Sequence, residues 1–306
     1  MPITQFLERN AEQWPNDVAL VELNPDIKVP RLTTWKEYEL IQPLHEVASR
    51  QEITWAVFNE KANRVANMLI ARGIVKGDKV AILLMNCLDW LPIYFGILKT
   101  GAIAVPLNFR YSADEIEYCV KLAEADVLIF GPEFIGRVEE IADSISRRRL
   151  LLYDGPGCPS FAEDFVSQTA NYSSIAPDVE VTDEDYGAIY FSSGTTGFPK
   201  AILHTHAGIM HAAIMEQKHH GQQKGDCFLC IPPCITQVPR CTGSEASSPA
   251  ARLFSSGEPL PRRSSRLSLT RSAQLYGFSF RGLRIFWIPS TTAASKKRIT
   301  AWISGA

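Results

Sequence analysis

The sequence predicts an α/β fold of repeated βα units whose sheets are covered on both faces. Strand-length apolar runs alternate along the chain with segments of helical period. The longest run, Val80-Ala-Ile-Leu-Leu-Met85, is continuously apolar, as expected of a strand buried on both sides. Helix ends are marked by cap signals, notably Ser112-Ala-Asp-Glu115 and Gly73. With 306 residues, 46% of them hydrophobic, the chain can bury one large or two ordinary cores.

Taken in order, Asn59 to Arg72 places Ala62, Val65, Leu69 and Ile70 on one helical face, and Gly73 ends that helix. The strand at Val80 follows, then a helix from Trp90 to Lys99 and a short strand, Ile103-Ala-Val105. Val80 to Leu107 is apolar enough to suggest a membrane span, but Asn86, Asp89, Pro92 and Lys99 within it favour a buried strand–helix–strand unit. The capping box opens a helix carrying Ile116, Val120 and Ala123, followed by the strand Val127-Leu-Ile-Phe130. A helix near Glu133 to Ile145 and a strand near Leu150 to Tyr153 come next. The polar stretch Asp154 to Asp183 reads as a mostly irregular connection. Ala188-Ile-Tyr190 reads as a strand, Thr205 to Gln217 as a helix, and Cys227 to Ile231 as a strand stopped by Pro232-Pro233. No internal repeat is present.

The strand at Ala188 runs into Phe191-Ser-Ser-Gly-Thr-Thr-Gly-Phe-Pro-Lys200, a loop suited to a polyphosphate. Gly194 and Gly197 allow successive N–H groups to point into one concavity. Ser192, Ser193, Thr195 and Thr196 add neutral donors, and Lys200 adds a compact positive charge. A small-residue surface turn is the bland alternative. A Walker-type loop needs Gly-Lys-Ser/Thr before a helix, whereas here Pro199 precedes Lys200 and Ala201 follows it.

The string resembles the phosphate-binding signature of the AMP-forming acyl-CoA synthetase, luciferase and peptide-synthetase adenylation superfamily. Ala201-Ile-Leu-His-Thr-His206 continues the resemblance, and upstream Ile53-Thr-Trp55 and Leu98-Lys-Thr-Gly-Ala-Ile-Ala-Val-Pro-Leu-Asn108 resemble two earlier motifs of that family in the same order. The resemblance covers residues 1–233. It implies a partial N-terminal adenylation domain, with ATP, Mg²⁺ and coenzyme A as cofactors and a fatty, aryl or alicyclic carboxylic acid as substrate. It implies further that Ser192, Ser193, Gly194, Thr195, Thr196, Gly197 and Lys200 hold the β- and γ-phosphates, with Thr195, Thr196 and Lys200 foremost.

Other chemistry-bearing residues have blander readings. His204 and His206 could form an acid–base pair, but a His-x-His at a strand end more often packs or caps. Asp183, Glu184 and Asp185 read as a solvated acidic run rather than a metal site. Cys227, Cys230, Cys234 and Cys241, with His219 and His220, lack the paired spacing of a structural zinc site.

Charge divides the chain. Residues 1–233 carry 20 Lys/Arg against 31 Asp/Glu, whereas residues 234–306 carry 11 basic residues against two acidic ones. A basic tail that binds nucleic acid, attached to a non-catalytic nucleotide- or partner-binding module, is one reading of that contrast. A shift of reading frame is the other, and it leads us to expect no nucleic-acid partner. The codons required by Cys234-Ile-Thr-Gln-Val238, read one base earlier, permit Leu-Tyr-His-Thr-Gly, the continuation seen in the resembling family. In the same frame Lys296 to Ile303 permits Lys-Lys-Glu-Asp-Tyr-Gly-Leu-Asp, which restores acidic residues. Residues 234–306 are therefore expected to be out of frame and to form no native domain. The family's Gly-Tyr-Gly-x-Thr-Glu segment, ribose-gripping aspartate, hinge and C-terminal catalytic lysine do not occur in the chain, so it is expected to be a truncated, inactive ligase fragment. Met1-Pro-Ile-Thr-Gln5 shows no secretory or transit pattern, which leads us to expect a cytoplasmic protein with reduced thiols.

Overall fold

The apolar run at Val80 becomes the centre of a seven-stranded sheet, and its residues serve two cores alternately. Val80, Ile82 and Leu84 pack into one hydrophobic cluster, Ala81 and Leu83 into the other. The computed structural model describes residues 1–23, 31–35, 38–42, 50–145, 150–192, 199–220, 227–229, 285–286 and 299–301.

The chain opens with α1 (Thr4–Gln13), β1 (Val18–Leu23), the hairpin β2 (Arg31–Trp35) and β3 (Tyr38–Gln42), and β4 (Arg50–Thr54). There follow α2 (Trp55–Ala71), β5 (Lys79–Leu83), α3 (Trp90–Lys99), β6 (Ile103–Pro106), α4 (Ala113–Leu122) and β7 (Val127–Phe130). A 3-10 turn over Pro132–Phe134 leads into α5 (Ile135–Ile145), then β8 (Leu150–Tyr153), β9 (Glu163–Asp164) and α6 (Phe165–Ala170). The strand ahead of the candidate loop is β10 (Tyr186–Ser192), followed by β11 (Lys200–Thr205) and α7 (His206–His220). Three short strands, β12 (Cys227–Leu229), β13 (Ile285–Phe286) and β14 (Ile299–Ala301), complete the described elements.

The main sheet has the order β11-β10-β6-β5-β7-β8-β9, parallel throughout except that β11 runs antiparallel to β10. α1, α2, α3 and α7 cover one face, and α4 and α5 the other. β5 connects through α3 to β6 on one side, and β6 returns through α4 to β7 on the other. The chain direction thus reverses at β5, which opens a crevice at the C-terminal ends of β5 and β7. β1 pairs antiparallel with β4 and with β13, and β12 pairs parallel with β14. Among the described residues no helix is long and apolar enough to cross a membrane, and Val80 to Leu107 resolves into β5, α3 and β6.

The expected α/β alternation is borne out, with three corrections of detail. The first long helix begins at Trp55 rather than Asn59, because the Thr54 hydroxyl caps it by accepting from the Val57 N–H at 3.3 Å. Ile70 lies outside the buried stripe and is 38% exposed. It sits about 80° around the helix from Ala62, at the margin of the apolar face. The connection from Asp154 to Asp183 contains β9 and α6, the latter capped by Asp164, whose carboxylate accepts from the Ser167 N–H at 2.7 Å. The capping box on α4 is present as expected.

Candidate functional site

β10 brings the candidate loop to the C-terminal edge of the parallel strands. Its alternation explains how: Ala188 and Tyr190 pack with α3 and α7, while Ile189 and Phe191 face the opposite core. β11 returns in register, with Ile189 opposite Leu203, Phe191 opposite Ala201 and Ser192 opposite Lys200. The two ends of the candidate loop are therefore cross-strand partners, on one face of an edge hairpin. Ser192 is half-buried, Pro199 buried and Lys200 exposed. Ser193, Gly194, Thr195, Thr196 and Gly197 lie outside the described residues.

Below the hairpin, the Tyr190 hydroxyl lies 3.0 Å from that of Tyr94, and Trp90 stacks on Tyr94 at 5.5 Å between ring centroids. His204 sets its ring edge-on to Tyr190 at 5.3 Å. His206, in contrast, is wholly buried, and neither of its ring nitrogens has a hydrogen-bond partner. The two histidines do not form an acid–base pair: one leans on the exposed strand and the other starts the next helix inside the core.

The acidic run ahead of β10 is anchored rather than freely solvated. Asp183 accepts the Met1 ammonium, and Asp185 pairs with Lys76 at 2.7 Å while accepting from the Thr182 N–H at 2.7 Å. Burial alone would raise the Asp185 carboxyl, but Lys76 and Thr182 outweigh it and hold it below its ordinary value. Glu184 remains exposed. Upstream, residues 171–182 run as a strap over α2, whose Asn63, Arg64 and Asn67 side chains donate to its carbonyls: Asn63 to Ser174 at 2.8 Å, Arg64 to Tyr172 at 2.6 Å, Asn67 to Ser173 and Ile175 at 2.8 Å. Nothing in the spacing of these residues announced the strap.

A second concavity of about 420 Å³ opens at the crevice beyond β5, β7 and β8, lined by Glu22, Lys61, Asp89, Glu133 and Asp154 among others. Lys61 pairs with Asp89 at 2.5 Å. Burial, followed by the charge on Asp89, pushes the Asp154 carboxyl up to about 8. The signal that could have found this cavity is positional: Asp89, Glu133 and Asp154 each come a few residues after a strand of the parallel sheet. Among the described residues no group of three His, Cys, Asp or Glu side chains is placed to hold a metal ion. Cys230, Cys234 and Cys241, like the side chain of Cys227, lie outside the described residues.

The family model for AMP-binding enzymes matches residues 7–243. The chain belongs to the AMP-binding enzyme family. Among its AMP-binding relatives, the long-chain-fatty-acid–CoA ligase FadD13 of Mycobacterium tuberculosis is 34% identical over 173 residues, 56% of this chain and 33% of that protein. The crotonobetaine/carnitine–CoA ligase of Salmonella arizonae is 30% identical over 211 residues, covering 67% of this chain and 40% of the relative. The crystal structure of the anthranilate CoA ligase AuaEII in complex with anthranoyl-AMP aligns with a TM-score of 0.58 at 28% identity, over 70% of this chain and 36% of that one. The chain thus spans about a third to two fifths of the length of the curated relatives it matches.

Proposed function

We propose that residues 1–233 are the phosphate-gripping part of an AMP-forming acid–thiol ligase. The observation that carries this reading is the edge hairpin that sets Lys200 opposite Ser192 at the C-terminal edge of the sheet, in a chain of the AMP-binding family. In such a ligase the carboxylate oxygen of the substrate attacks the α-phosphorus of ATP. The bond from that phosphorus to the β-bridging oxygen breaks, and pyrophosphate leaves. The thiol of coenzyme A then loses its proton to solvent and its sulfur attacks the acyl carbon; the bond from that carbon to the AMP oxygen breaks, AMP departs with the electron pair, and the thioester forms.

The residues present fit the polyphosphate. An exposed ammonium at Lys200 and a hydroxyl at Ser192 flank the chain ends, and Ser193, Gly194, Thr195, Thr196 and Gly197 supply hydroxyl and N–H donors between them. Lys200 would hold the β- and γ-phosphates against the charge that develops as pyrophosphate leaves. Bound Mg²⁺ would neutralise the same charge. Which acid is activated is left to the carboxylate class: fatty, aryl or alicyclic.

We propose further that residues 234–306 are read out of frame, and that the 306-residue polypeptide grips polyphosphate without completing a ligation. Two measurements test the reading. Calorimetric titration with ATP is expected to show binding that weakens roughly tenfold or more in Lys200→Ala, the loss of one charged hydrogen bond. Trapping of acyl-adenylate as hydroxamate, with a panel of acids, is expected to give no product above the no-enzyme control. Product above that control overturns the inactivity, and ATP binding indifferent to Lys200 overturns the site.

A further inference from the structure

We propose that His206 is a proton-operated latch: when its imidazole takes up a proton, the first turn of α7 lifts from β10 and loosens the strand that leads into residues 193–198.

The geometry is unusual for a histidine. The ring is 0% exposed, and neither Nδ1 nor Nε2 finds a hydrogen-bond partner. A buried imidazole normally spends its donor and its acceptor on neighbours, so this one is held by packing alone. It lies directly against the backbone of β10: a Cβ built on Gly187 would stand 3.3 Å from both Cδ2 and Nε2. Glycine at 187 is what lets the ring approach. The main chain is tied at the same place, with the His206 N–H donating to the Asp185 carbonyl at 2.9 Å and the Ala207 N–H to the Asp183 carbonyl at 2.9 Å.

A complementary group waits nearby. One oxygen of Asp183 accepts the Met1 ammonium, while the other, Oδ1, is buried without a partner. The charged groups that face the ring are Asp183 and Asp185 from the segment ahead of β10, and Lys76 from the turn between α2 and β5. The Met1 ammonium stands behind Asp183. Burial disfavours the imidazolium most, Asp185 and Asp183 oppose that, and Lys76 adds to it, so the folded protein holds His206 below its ordinary value of 6.5. The positive end of the α7 dipole acts in the same sense as burial.

The direction of the switch follows. Above the unfolded value the ring is neutral in both states, and the packed arrangement keeps its full stability. As pH falls below 6.5 the exposed ring gains a proton that the packed ring resists, so opening is favoured roughly tenfold per pH unit until the folded value is passed. The freed imidazolium gains a partner in Asp183 Oδ1. The latch acts on β10 whether or not the following loop holds a nucleotide.

The test is hydrogen exchange of the 306-residue chain at about pH 7 and about pH 5, corrected for intrinsic exchange, in parallel with His206→Leu. Expected is an acid-driven loss of protection in residues 187–192 and 206–213 that approaches tenfold per pH unit, with α4 and α5 unchanged, and that disappears in His206→Leu. The same acid response in His206→Leu, or a loss spread evenly over α4 and α5, overturns the proposal. Should His206→Leu fail to fold, NMR titration of the His206 ring in the unmodified chain decides. A midpoint below 6.5 that coincides with opening of β10 supports the latch, and an ordinary midpoint with β10 unmoved overturns it.

Discussion

Replacing Gly96 by alanine probes the close crossing of α3 over α2. α3 crosses α2 there with no room for a methyl group. A Cβ on Gly96 would lie 2.6 Å from Val65 Cβ, 2.7 Å from Val65 Cγ1 and 2.8 Å from the Ala62 carbonyl oxygen. Carbon atoms prefer about 3.5–4.0 Å, so the shortfall is on the order of 1 Å at three atoms at once. Val65 is buried, and its Cβ is fixed by the α2 backbone, so no rotamer change clears it. The helices must part instead. Overpacking of this kind costs about 3 kcal/mol at the upper end of its usual range. Alanine recovers about 1 kcal/mol of helix propensity over glycine. The net expectation is a loss of about 2 kcal/mol, a fall of roughly 3–4 °C in Tm for a chain of this size. Urea unfolding followed by tryptophan fluorescence reads it. Adding Val65→Ala removes Cγ1 but leaves Val65 Cβ and the Ala62 carbonyl in place, so rescue should be partial. Gly136→Ala is the control: it lies in α5 with nothing within 4 Å of its would-be Cβ, and should gain about 0.5 kcal/mol. A Gly96→Ala variant as stable as the parent would refute the close crossing.

Three further outcomes are expected. Lys99 is almost wholly buried and is held by Glu8 at 2.5 Å, with burial lowering its affinity for a proton and Glu8 opposing that. Glu8→Ala should therefore cost about 1–2 kcal/mol, discounted because Glu8 is 38% exposed, whereas Lys99→Met should be near neutral; equal costs in denaturant melts would contradict a desolvated ammonium. Asn67→Ala, which releases the carbonyls of Ser173 and Ile175, should speed limited proteolysis within residues 171–182 and leave the β5–β7 core resistant. Asp154, whose proton is held to about pH 8, binds that proton more tightly folded than unfolded. That contribution is present below the unfolded value and is lost as pH rises through about 8, so Asp154→Asn should stabilise the chain more at pH 9 than at pH 5 in matched melts.

Much of the parallel sheet was legible because a strand buried on both faces leaves a mark in its own residues. Val127–Phe130 and Leu150–Tyr153 carry that mark, and both are strands with the expected bounds. Trp90–Lys99 was equally legible, since a helix buried all round is also a local pattern. The start of α2 was misplaced because Trp55 and Phe58 sit in its first turn, where the helical period has only begun and the Thr54 cap is the better signal. α6 was missed because six residues hold too little periodicity to stand out from a polar stretch. Composition and order made Ser192 and Lys200 legible as candidates only. That they face one another, and that His204 and His206 diverge, was not legible.

By itself the sequence determined the βα alternation, the capping box on α4 and the glycine that ends α2, the family and the composition of the candidate loop. These depend on residues within a turn or two of each other, or on a contiguous string whose chemistry is carried by its own donors and charge. Tertiary structure alone decided the strand order and the reversal at β5, the cavity beyond it, the strap over α2 and the burial of His206 against Gly187. Each of those joins groups far apart in the chain, and burial is set by what packs on a residue rather than by what precedes it.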